Sequence, residues 1–299
     1  MISLFSYWWV MNGILLINKE ENYTSRDVVN KVGKILGTKK IGHTGTLDPL
    51  ATGVLALCLG SATKLNEILT STYNEYEAEI TLGLLTDTLD ITGNVLKEEN
   101  VKANKEQILE SLNRMTGKYM QEVPIYSAVK VNGKKLYEYA RAGQSVELPK
   151  REVDIKKLEL VGDIRYTDNK TIFNIRCLVS KGTYIRALVN DIAISLNTIG
   201  VMSKLNRTKQ GRFKLEDCYT LDDIENGNYK LISVDEVLNE YPRVMVEGRE
   251  EKLVSNGAII DNKWGKNEIL FVDKNNILIA LYKIYEKDET KLKPWKMLK

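Results

Sequence analysis

One glycine-rich stretch, residues 42–53, concentrates residue types that could do chemistry. It holds His43, the one histidine of the chain, and the pair Asp48 and Pro49. Because proline disfavours the helical conformation in the residue before it, Asp48 is expected to lie at a turn that presents its carboxylate. Loops on rigid scaffolds commonly carry functional groups. The stretch is therefore a candidate site of carboxylate chemistry, and the alternatives are an ordinary Asp-Pro turn and a structural histidine.

A second stretch, residues 180–188, follows a predicted strand and begins a helix predicted over residues 183–196. It places Tyr184 and Arg186 in the first helical turn. Backbone N–H groups at a helix N-terminus attract anions, and an arginine beside them can bind a phosphate or a carboxylate through two hydrogen bonds. Arg186 is thus a candidate for anion binding. The alternative is an exposed ion pair, which contributes only about 0–1 kcal/mol.

Basic residues outnumber acidic residues only slightly, but they form clusters along the chain. The sequence has 43 Lys and Arg against 40 Asp and Glu, a net charge of +3, which by itself requires no anionic partner. Residues 204–214 nevertheless contain basic residues and no acidic one, and residues 126–141 interleave tyrosines with lysines and an arginine. Charge combined with aromatic stacking is typical of surfaces that bind single-stranded nucleic acid. The alternative for each cluster is a solvated charged face.

The elements that must position these residues are predicted from periodicity. Residues 13–18 and 54–59 are apolar runs typical of buried strands, whereas apolar and polar residues alternate over residues 75–82 as in a half-buried antiparallel strand. Helical spacing follows Thr24 and recurs over residues 183–196. Short connections between the strands predict an α+β fold with a mixed, largely antiparallel sheet flanked by helices. Neither G-x-G-x-x-G nor a P-loop motif occurs, which argues against dinucleotide or P-loop chemistry.

Size, composition and one break in the pattern predict two domains. The chain has 299 residues, of which 43% are hydrophobic and 28% charged, as in globular proteins. Residues 241–242, Tyr-Pro, interrupt a helical pattern, and short strands of a small β-rich domain follow. We expect an N-terminal extension over residues 1–11 that is non-native or disordered, a first domain over residues 12–240 and a second domain over residues 241–299.

Cysteine usage and hydropathy limit the class of protein. Cys58, Cys177 and Cys218 are widely spaced without a C-x-x-C pair, and a single histidine cannot form a histidine cluster, so zinc sites and disulfide frameworks are disfavoured. Few cysteines are typical of a reducing compartment, which predicts a cytoplasmic protein. No apolar run reaches the ~20 residues that cross a bilayer. We therefore expect no membrane association.

Six motifs occur in order along the chain. They are residues 43–53, Tyr76, residues 86–93, residues 126–130, residues 135–141 and residues 181–186. Together they closely resemble the TruB family of tRNA pseudouridine synthases, over about residues 12–207, and the tail from Tyr241 weakly resembles the PUA-type RNA-binding domain of that family. The resemblance implies the pseudouridine synthase fold for residues 12–240 and a small PUA-like domain for residues 241–299.

The resemblance implies that the chain isomerises the uridine at position 55 in the T loop of tRNA to pseudouridine, without a cofactor or a metal. It implies that Asp48 is the nucleophile, that Arg186 is its partner and that Tyr76 stacks on the base. This chemistry needs one nucleophile and a closed pocket that captures a flipped base. An adjacent arginine favours the ionised form of a carboxylate that is removed from water.

The resemblance also assigns the substrate pocket. His43 takes the space that the flipped base leaves in the RNA, and Tyr184 and Leu205 complete the uridine pocket with Tyr76. Residues 19–22 depart from the Lys-Pro-x-Gly pattern of the family, because they lack both the proline and the glycine. The geometry of that early loop is therefore expected to differ.

Three functions fit the resemblance. They are a stand-alone enzyme acting on free tRNA, a tRNA-binding folding factor whose main role is not catalysis, and a subunit that needs a guide RNA. The lack of long basic tails argues against the third function. We expect the first, acting on the T-arm of tRNA as a monomer with no obligate protein partner. Attack of the aspartate on C1′ of the ribose and attack on C6 of the base both fit the sequence.

Overall fold

The computed structural model describes residues 11–70 and 72–299, so the expectation for residues 1–10 lies outside the described residues. The elements of the first part of the chain are β1 (Gly13–Lys19), α1 (Ser25–Ile35), β2 (Ile41–His43), β3 (Thr52–Leu59), a 3₁₀ helix (Gly60–Leu65), α2 (Asn66–Leu69), β4 (Tyr73–Leu82), β5 (Leu84–Thr86), β6 (Val95–Glu98), α3 (Lys105–Arg114), β7 (Gly117–Glu122), β8 (Lys130–Val131), β9 (Lys134–Lys135), α4 (Leu136–Arg141), β10 (Lys150–Thr167), β11 (Lys170–Ser180), α5 (Ile185–Ser195), β12 (Gly200–Gln210), β13 (Phe213–Lys214), a 3₁₀ turn (Leu215–Asp217), α6 (Leu221–Glu225) and α7 (Val234–Val237).

A mixed sheet organises this part of the chain. Its strands run in the order β1-β3-β12-β4-β11-β10-β7, and β2 and β13 pair with β3 and β12. Strands β3 and β12 are parallel, whereas the other neighbours in this order are antiparallel. Helices pack against the sheet, with α5 beside β12 and α3 beside β10. The predicted α+β class with a mixed, largely antiparallel sheet is confirmed.

Strand β12 lies near the centre of this sheet, and the sequence analysis does not predict it. Residues 200–210 look like a basic cluster because the buried positions include Arg207 and Gln210, which are both 2% exposed. The apolar alternation that would indicate a strand therefore fails. Pairing with β3 on one side and β4 on the other determines the extended conformation instead.

Hydrogen bonds at the N-termini of α1 and α5 hold the residues where these two helices begin. Thr24 caps α1 in a capping box, since its hydroxyl accepts from the N–H of Asp27 and the Asp27 carboxylate accepts from the N–H of Thr24. Helix α5 begins at Ile185, later than the sequence predicts. Tyr184 stands at the N-cap, where its N–H donates to Oε1 of Gln121 at 2.9 Å. A side chain on another element thus holds the backbone of the N-cap residue.

Three other predicted elements differ in length from those observed. The strands predicted over residues 155–161 and 171–179 belong to the longer hairpin β10-β11, whose register shifts indicate bulges that bend it. The helix predicted over residues 233–240 is confined to α7, because the N–H of Tyr241 donates to the carbonyl of Leu238 and closes a turn.

A second sheet follows residue 242. Its elements are β14 (Arg243–Met245), α8 (Gly248–Ser255), β15 (Ile260–Asp261), β16 (Glu268–Val272), β17 (Leu278–Tyr285) and β18 (Asp288–Met297). The strand order is β14-β16-β17-β18-β15. The prediction of a β-rich tail is confirmed.

Apolar side chains cover both faces of β1 and β3. On one face, Leu15 packs with Val28 of α1. On the other face, Leu16 shares a buried cluster with Leu270 and Leu281 of the second sheet. The two sheets therefore share one hydrophobic core, which stabilises their contact through burial of apolar surface.

Within the part of the chain that the structure describes, no helix is long and apolar enough to cross a membrane. The same residues contain no group of His, Cys, Asp and Glu side chains arranged to hold a metal ion. Cys58, Cys177 and Cys218 are free thiols.

Gly53 joins the glycine-rich loop to the sheet. It lies in register with Lys19 of β1 and Arg207 of β12 and has a φ of 102°, a conformation that favours glycine. A Cβ at this position would lie 2.3 Å from the Arg207 carbonyl oxygen. The close approach of two strands therefore requires that residue 53 have no side chain.

We predict that Gly53→Ala lowers the free energy of unfolding by about 3 kcal/mol or more, because backbone strain and overpacking add. Gly37→Ala is the matched control, since Gly37 also has a positive φ of 63° but no atom within 4 Å of an added Cβ. Its loss is expected to be about 1 kcal/mol. Urea unfolding of both variants measures the difference, and equal losses would contradict the steric argument.

Candidate active site

A cavity of ≈ 510 Å³ opens where the glycine-rich loop, the sheet and the N-terminus of α5 meet. Five of the six predicted site residues line it, namely Asp48, Tyr76, Tyr184, Arg186 and Leu205. These residues come from four separate segments of the sequence, which the fold brings together. Their convergence makes the cavity the candidate active site.

The centre of the site is an ion pair between Asp48 and Arg186. Nε of Arg186 donates to Oδ2 of Asp48 at 2.9 Å. The Arg186 side chain is 5% exposed, whereas that of Asp48 is 40% exposed and faces the cavity. A buried, fixed cation thus holds an accessible carboxylate, and the alternative of an exposed surface pair does not apply.

The remaining donors of Arg186 hold two neighbouring segments. Nη1 donates to the carbonyl of Thr88 at 2.9 Å, and Nη2 donates to the carbonyl of Tyr126 at 3.0 Å. Both carbonyls belong to connections rather than to regular strands. The guanidinium therefore fixes the walls of the cavity as well as the carboxylate, and this contact of Tyr126 is not apparent from the sequence.

Asp90 is a second carboxylate near Arg186 that the sequence analysis includes in a motif but does not select. Its Oδ2 lies 4.0 Å from Nε of Arg186. Its Oδ1 accepts from the N–H and hydroxyl of Thr92 and from the hydroxyl of Thr88. Because Asp90 is 6% exposed, its negative charge partly balances the buried guanidinium. The unusual density of Thr and Asp in residues 86–92 is the signal that could have identified it.

Side chains of β1 and α1, together with one backbone N–H group, hold the loop that carries Asp48. Oγ of Ser25 accepts from the N–H of Leu47 at 2.8 Å and donates to its carbonyl at 3.1 Å. The carbonyl of Pro49 accepts from Nζ of Lys19 and from the N–H of Asn22. The loop is buried at Leu47 but exposed at the Asp48 carboxylate, so its backbone cannot shift easily.

Lys19 is fully buried, although its side chain is charged in water. Its Nζ donates to the carbonyls of Glu20, Tyr23 and Pro49 at 2.8, 2.6 and 3.2 Å. Removal from water lowers the pKa of Lys19 to about 8, and the negative charge of Asp48 opposes this change. Lys19 thus connects the early loop, residues 19–22, to the glycine-rich loop through hydrogen bonds. This connection forms although the early loop lacks the proline and the glycine of the Lys-Pro-x-Gly pattern.

Gln210 and Arg207 of β12 hold the other side of the loop. Nε2 of Gln210 donates to Oγ1 of Thr44 at 2.8 Å, and its Oε1 accepts from the N–H of Ala56. Nε of Arg207 donates to the carbonyl of Val54 at 2.8 Å, and Nη2 donates to that of Gly45 at 3.0 Å. Both side chains also line the cavity. The sequence analysis places these residues only in or beside a basic cluster.

Tyr76 and Leu205 form the sheet side of the cavity. Tyr76 of β4 is 8% exposed, and Leu205 of the neighbouring β12 is 7% exposed. They offer an aromatic face and an aliphatic contact, respectively, at the edge of a well-packed core. Such a surface can stack on a planar base.

Tyr184 is fixed by a polar network beneath α5. The side-chain amide of Gln121 accepts from the N–H of Tyr184 and donates to its carbonyl at 3.2 Å. Gln121 also donates to the hydroxyl of Tyr119, which in turn donates to the Asp191 carboxylate. Burial raises the pKa of Asp191. The guanidinium of Arg151 lies 5.6 Å from the centre of the Tyr184 ring, close enough for a cation–π contact.

His43 is the one predicted site residue that does not line the cavity. It ends β2, directly before Thr44, which does line it. Its Nδ1 is buried and has no hydrogen-bond partner among the described residues. Burial, with the nearby charges of Arg26 and Arg207, lowers the pKa of His43. The histidine is therefore neutral in this environment at neutral pH.

Comparisons with known proteins agree with this geometry. Residues 33–185 match the model described as TruB family pseudouridylate synthase, N-terminal domain. The tRNA pseudouridine synthase B of a Bacillus cereus strain is 42% identical, over 96% of this chain and 97% of its own length. The chain belongs to the TruB family. The tRNA pseudouridine synthase B of Bacillus subtilis (strain 168) is 40% identical, over 97% of this chain and 98% of its own length.

Solved structures confirm the TruB-type fold. A chain in an H/ACA RNP bound to a substrate RNA containing 2′-deoxyuridine matches with a TM-score of 0.68 and 20% identity, covering 97% of this chain and 86% of that chain. A chain in a Cbf5-Nop10-Gar1 complex matches with a TM-score of 0.65 and 23% identity, covering 92% and 78%. At these identities the likeness concerns the fold alone.

The buried Lys19 predicts a pH dependence of stability. Because its pKa is lowered in the folded state from 10.5 to about 8, the unfolded chain binds the proton more tightly. The contribution of Lys19 to the free energy of unfolding is therefore lowest below pH 8, and it rises by about 3 kcal/mol as the pH increases from 8 towards 10.5.

We expect the free energy of unfolding of the unsubstituted chain, minus that of Lys19→Met, to increase from pH 7 to pH 10. Urea unfolding at several pH values gives this difference. The exposed Lys34→Met is the control, and its difference is expected to stay constant. A pH-independent difference for Lys19→Met would show that burial does not lower the proton affinity of this amine.

Proposed function

We propose that this chain isomerises the uridine at position 55 in the T loop of tRNA to pseudouridine, with Asp48 as the nucleophile and without a cofactor. The observation that carries the proposal is the accessible Asp48 carboxylate, held at 2.9 Å by the buried Arg186 guanidinium inside the cavity. Relatives named tRNA pseudouridine synthase B, at 40–42% identity over nearly the whole chain, support the substrate class and the reaction.

The residues of the cavity suit the bonds that must change. The N1–C1′ bond of uridine breaks, the uracil rotates while it is captive, and C5 bonds to C1′. These steps need a nucleophile that is held in position, and the charge-assisted hydrogen bond from Arg186 orients the Asp48 carboxylate. Attack of Asp48 on C1′ and attack on C6 are both compatible with a carboxylate at this position.

The other site residues are proposed to bind the flipped nucleotide. The Tyr76 ring stacks on the uracil, Leu205 contacts its edge, and Tyr184 closes the pocket from the N-cap of α5. His43, which lies next to the cavity at Thr44, is proposed to take the position that the uridine leaves in the T loop. A neutral, planar ring suits that position because it can replace a base within a stack of bases.

Charged and aromatic residues beside the cavity support RNA as the substrate. Between β7 and β10, the ammonium of Lys134 lies 4.6 Å from the centre of the Tyr139 ring, and Arg141 lies over Tyr137 at 5.3 Å. Such pairs combine phosphate attraction with stacking. We propose that this segment contacts the T-arm.

The domain boundaries and the assembly are part of the same proposal. We propose that residues 12–240 are the catalytic domain, that residues 241–299 are a PUA-like RNA-binding domain and that residues 1–11 are an extension. The chain is proposed to act in the cytoplasm as a monomer without an obligate protein partner.

Site-resolved pseudouridine mapping tests the function. An unmodified tRNA transcript is incubated with the purified chain, with no added metal or cofactor. Conversion confined to the T-loop uridine is expected. Tight tRNA binding without conversion would overturn the proposal and favour a folding factor or a partner-dependent subunit.

We predict that Asp48→Asn reduces the rate of pseudouridine formation by about 10⁴-fold or more, because the amide cannot act as the nucleophile. Binding of tRNA is expected to stay within about threefold, since the substitution removes no surface that binds RNA. Asp163→Asn, an exposed aspartate on β10, is the control and is expected to retain activity. Modification by Asp48→Asn at a rate near that of the unsubstituted chain would refute the assignment.

We predict that Arg186→Ala lowers the turnover rate by about 10²- to 10³-fold, because it removes the charge-assisted hydrogen bond that orients Asp48. The Kd for tRNA is expected to change by less than about threefold. Arg176→Ala, which removes an arginine paired with Glu77 at the surface, is the control. Steady-state kinetics and filter binding separate the two effects, and a loss confined to Kd would assign Arg186 to phosphate binding instead.

A further inference from the structure

Arg207 is a buried cation that has no carboxylate partner in the described part of the chain. It is 2% exposed, yet both groups that accept its hydrogen bonds are neutral backbone carbonyls, those of Val54 and Gly45. These contacts use Nε and Nη2. No described residue accepts a hydrogen bond from Nη1, although removal of a charged donor from water is costly unless a partner is supplied.

The free end of Arg207 lies beside Gly45, which is also part of the wall of the candidate active site. Arg207 lines the same cavity as Asp48 and Tyr76. A Cβ on Gly45 would lie only 3.4 Å from Nη1, so the glycine leaves open the space in front of this atom. Nη1 is therefore available to donate a hydrogen bond to an acceptor atom of a bound substrate.

The sheet register places Arg207 beside the residue that is proposed to stack on the base. Arg207 of β12 is directly opposite Tyr76 of β4. Side chains of directly paired residues lie on the same face of a sheet, with Cβ atoms about 5 Å apart. A uracil stacked on Tyr76 would therefore have its edge, rather than its ribose phosphates, near the guanidinium.

From this arrangement we propose that Arg207 is a further catalytic residue, whose Nη1 donates to a carbonyl oxygen of the flipped uracil and stabilises the negative charge that develops there. The proposal rests on the function proposed above. It assigns Arg207 a role distinct from that of Arg186, which acts on the nucleophile.

The chemistry places charge on the base in either route. If Asp48 bonds to C1′, the N1–C1′ bond breaks and its electron pair stays on the uracil, shared by N1, O2 and O4. If Asp48 instead bonds to C6, the electron pair of the C5–C6 double bond moves to C5 and O4, and the N1–C1′ bond then breaks with its electron pair on N1. When C5 then bonds to C1′, the bond to Asp48 breaks, the C5 proton leaves to water and N1 gains a proton. No oxidant or reductant is needed.

A fixed donor in a site that excludes water can contribute strongly to such a step. Removal of one preorganised donor from an oxyanion site commonly costs about 10²- to 10³-fold in rate. Because Nε and Nη2 of Arg207 are already held by Val54 and Gly45, the orientation of Nη1 requires no reorganisation when charge develops.

The experiment uses synthetic T-arm RNA with uridine, 2-thiouridine or 4-thiouridine at the target position. Sulfur accepts hydrogen bonds more weakly than oxygen, so each substitution weakens a hydrogen bond at one carbonyl position of the base. Single-turnover rates are measured by nucleoside analysis for the unsubstituted chain, for Arg207→Gln and for the control Arg176→Gln. Circular dichroism and RNA binding report on folding and affinity.

With the unsubstituted chain we expect the two thio substrates to differ in rate by about tenfold, because only one carbonyl oxygen receives the hydrogen bond. Arg207→Gln is expected to convert uridine about 10²-fold more slowly, with Kd within about threefold, and to lose the difference between the thio substrates. Arg176→Gln is expected to keep both the rate and the difference.

Three results would overturn the proposal. They are equal rates of the unsubstituted chain on the two thio substrates, an unchanged difference in Arg207→Gln, and a loss confined to Kd, which would assign Arg207 to a phosphate. If Arg207→Gln does not fold, Arg207→Lys is used in its place, and the change in the difference between the two thio substrates again decides. Failure of the unsubstituted chain to convert uridine would instead count against the proposed function.

Discussion

The buried guanidinium of Arg186 is the interaction on which the site depends. A cation removed from water is stable only when its donors find acceptors with good geometry. Arg186 meets this requirement with the Asp48 carboxylate and with the carbonyls of Thr88 and Tyr126. Three segments that are distant in sequence must therefore approach the first turn of α5. The same requirement that stabilises the charge also assembles the cavity.

The loop that carries Asp48 is held almost as firmly as an element of regular structure. Ser25 holds the backbone of Leu47, Lys19 holds the carbonyl of Pro49, and Arg207 holds that of Gly45. A loop with buried backbone groups needs such partners, because unpaired carbonyls away from water are costly. The proposed nucleophile Asp48 is thereby preorganised, since a group on a rigid loop does not have to be ordered during a reaction.

Charge in this molecule is distributed so that the interior of the cavity is more cationic than the net charge of +3 suggests. Among the described residues that line the cavity, Lys181, Arg186 and Arg207 are basic, whereas Asp48 is the one acidic residue. Exposed ion pairs elsewhere, such as that of Arg176 with Glu77, neutralise each other. A locally cationic cavity within a nearly neutral surface suits a polyanionic substrate that must place one uncharged base inside.

The sequence by itself determined the local features of this protein. Periodicity predicts β1, α1 and β4, and ordered motifs that resemble the TruB family provide the candidate residues, of which only His43 lies outside the cavity wall. The tertiary structure decided the rest. Strand β12 carries Arg207 at a buried position, so its sequence does not show the apolar alternation of a strand, and only the structure reveals the partners of that arginine. The start of α5 at Tyr184 likewise involves a hydrogen bond to Gln121, which lies far away in the sequence. A buried polar residue is stable only through partners that folding brings from elsewhere in the chain, and a local pattern contains no record of them.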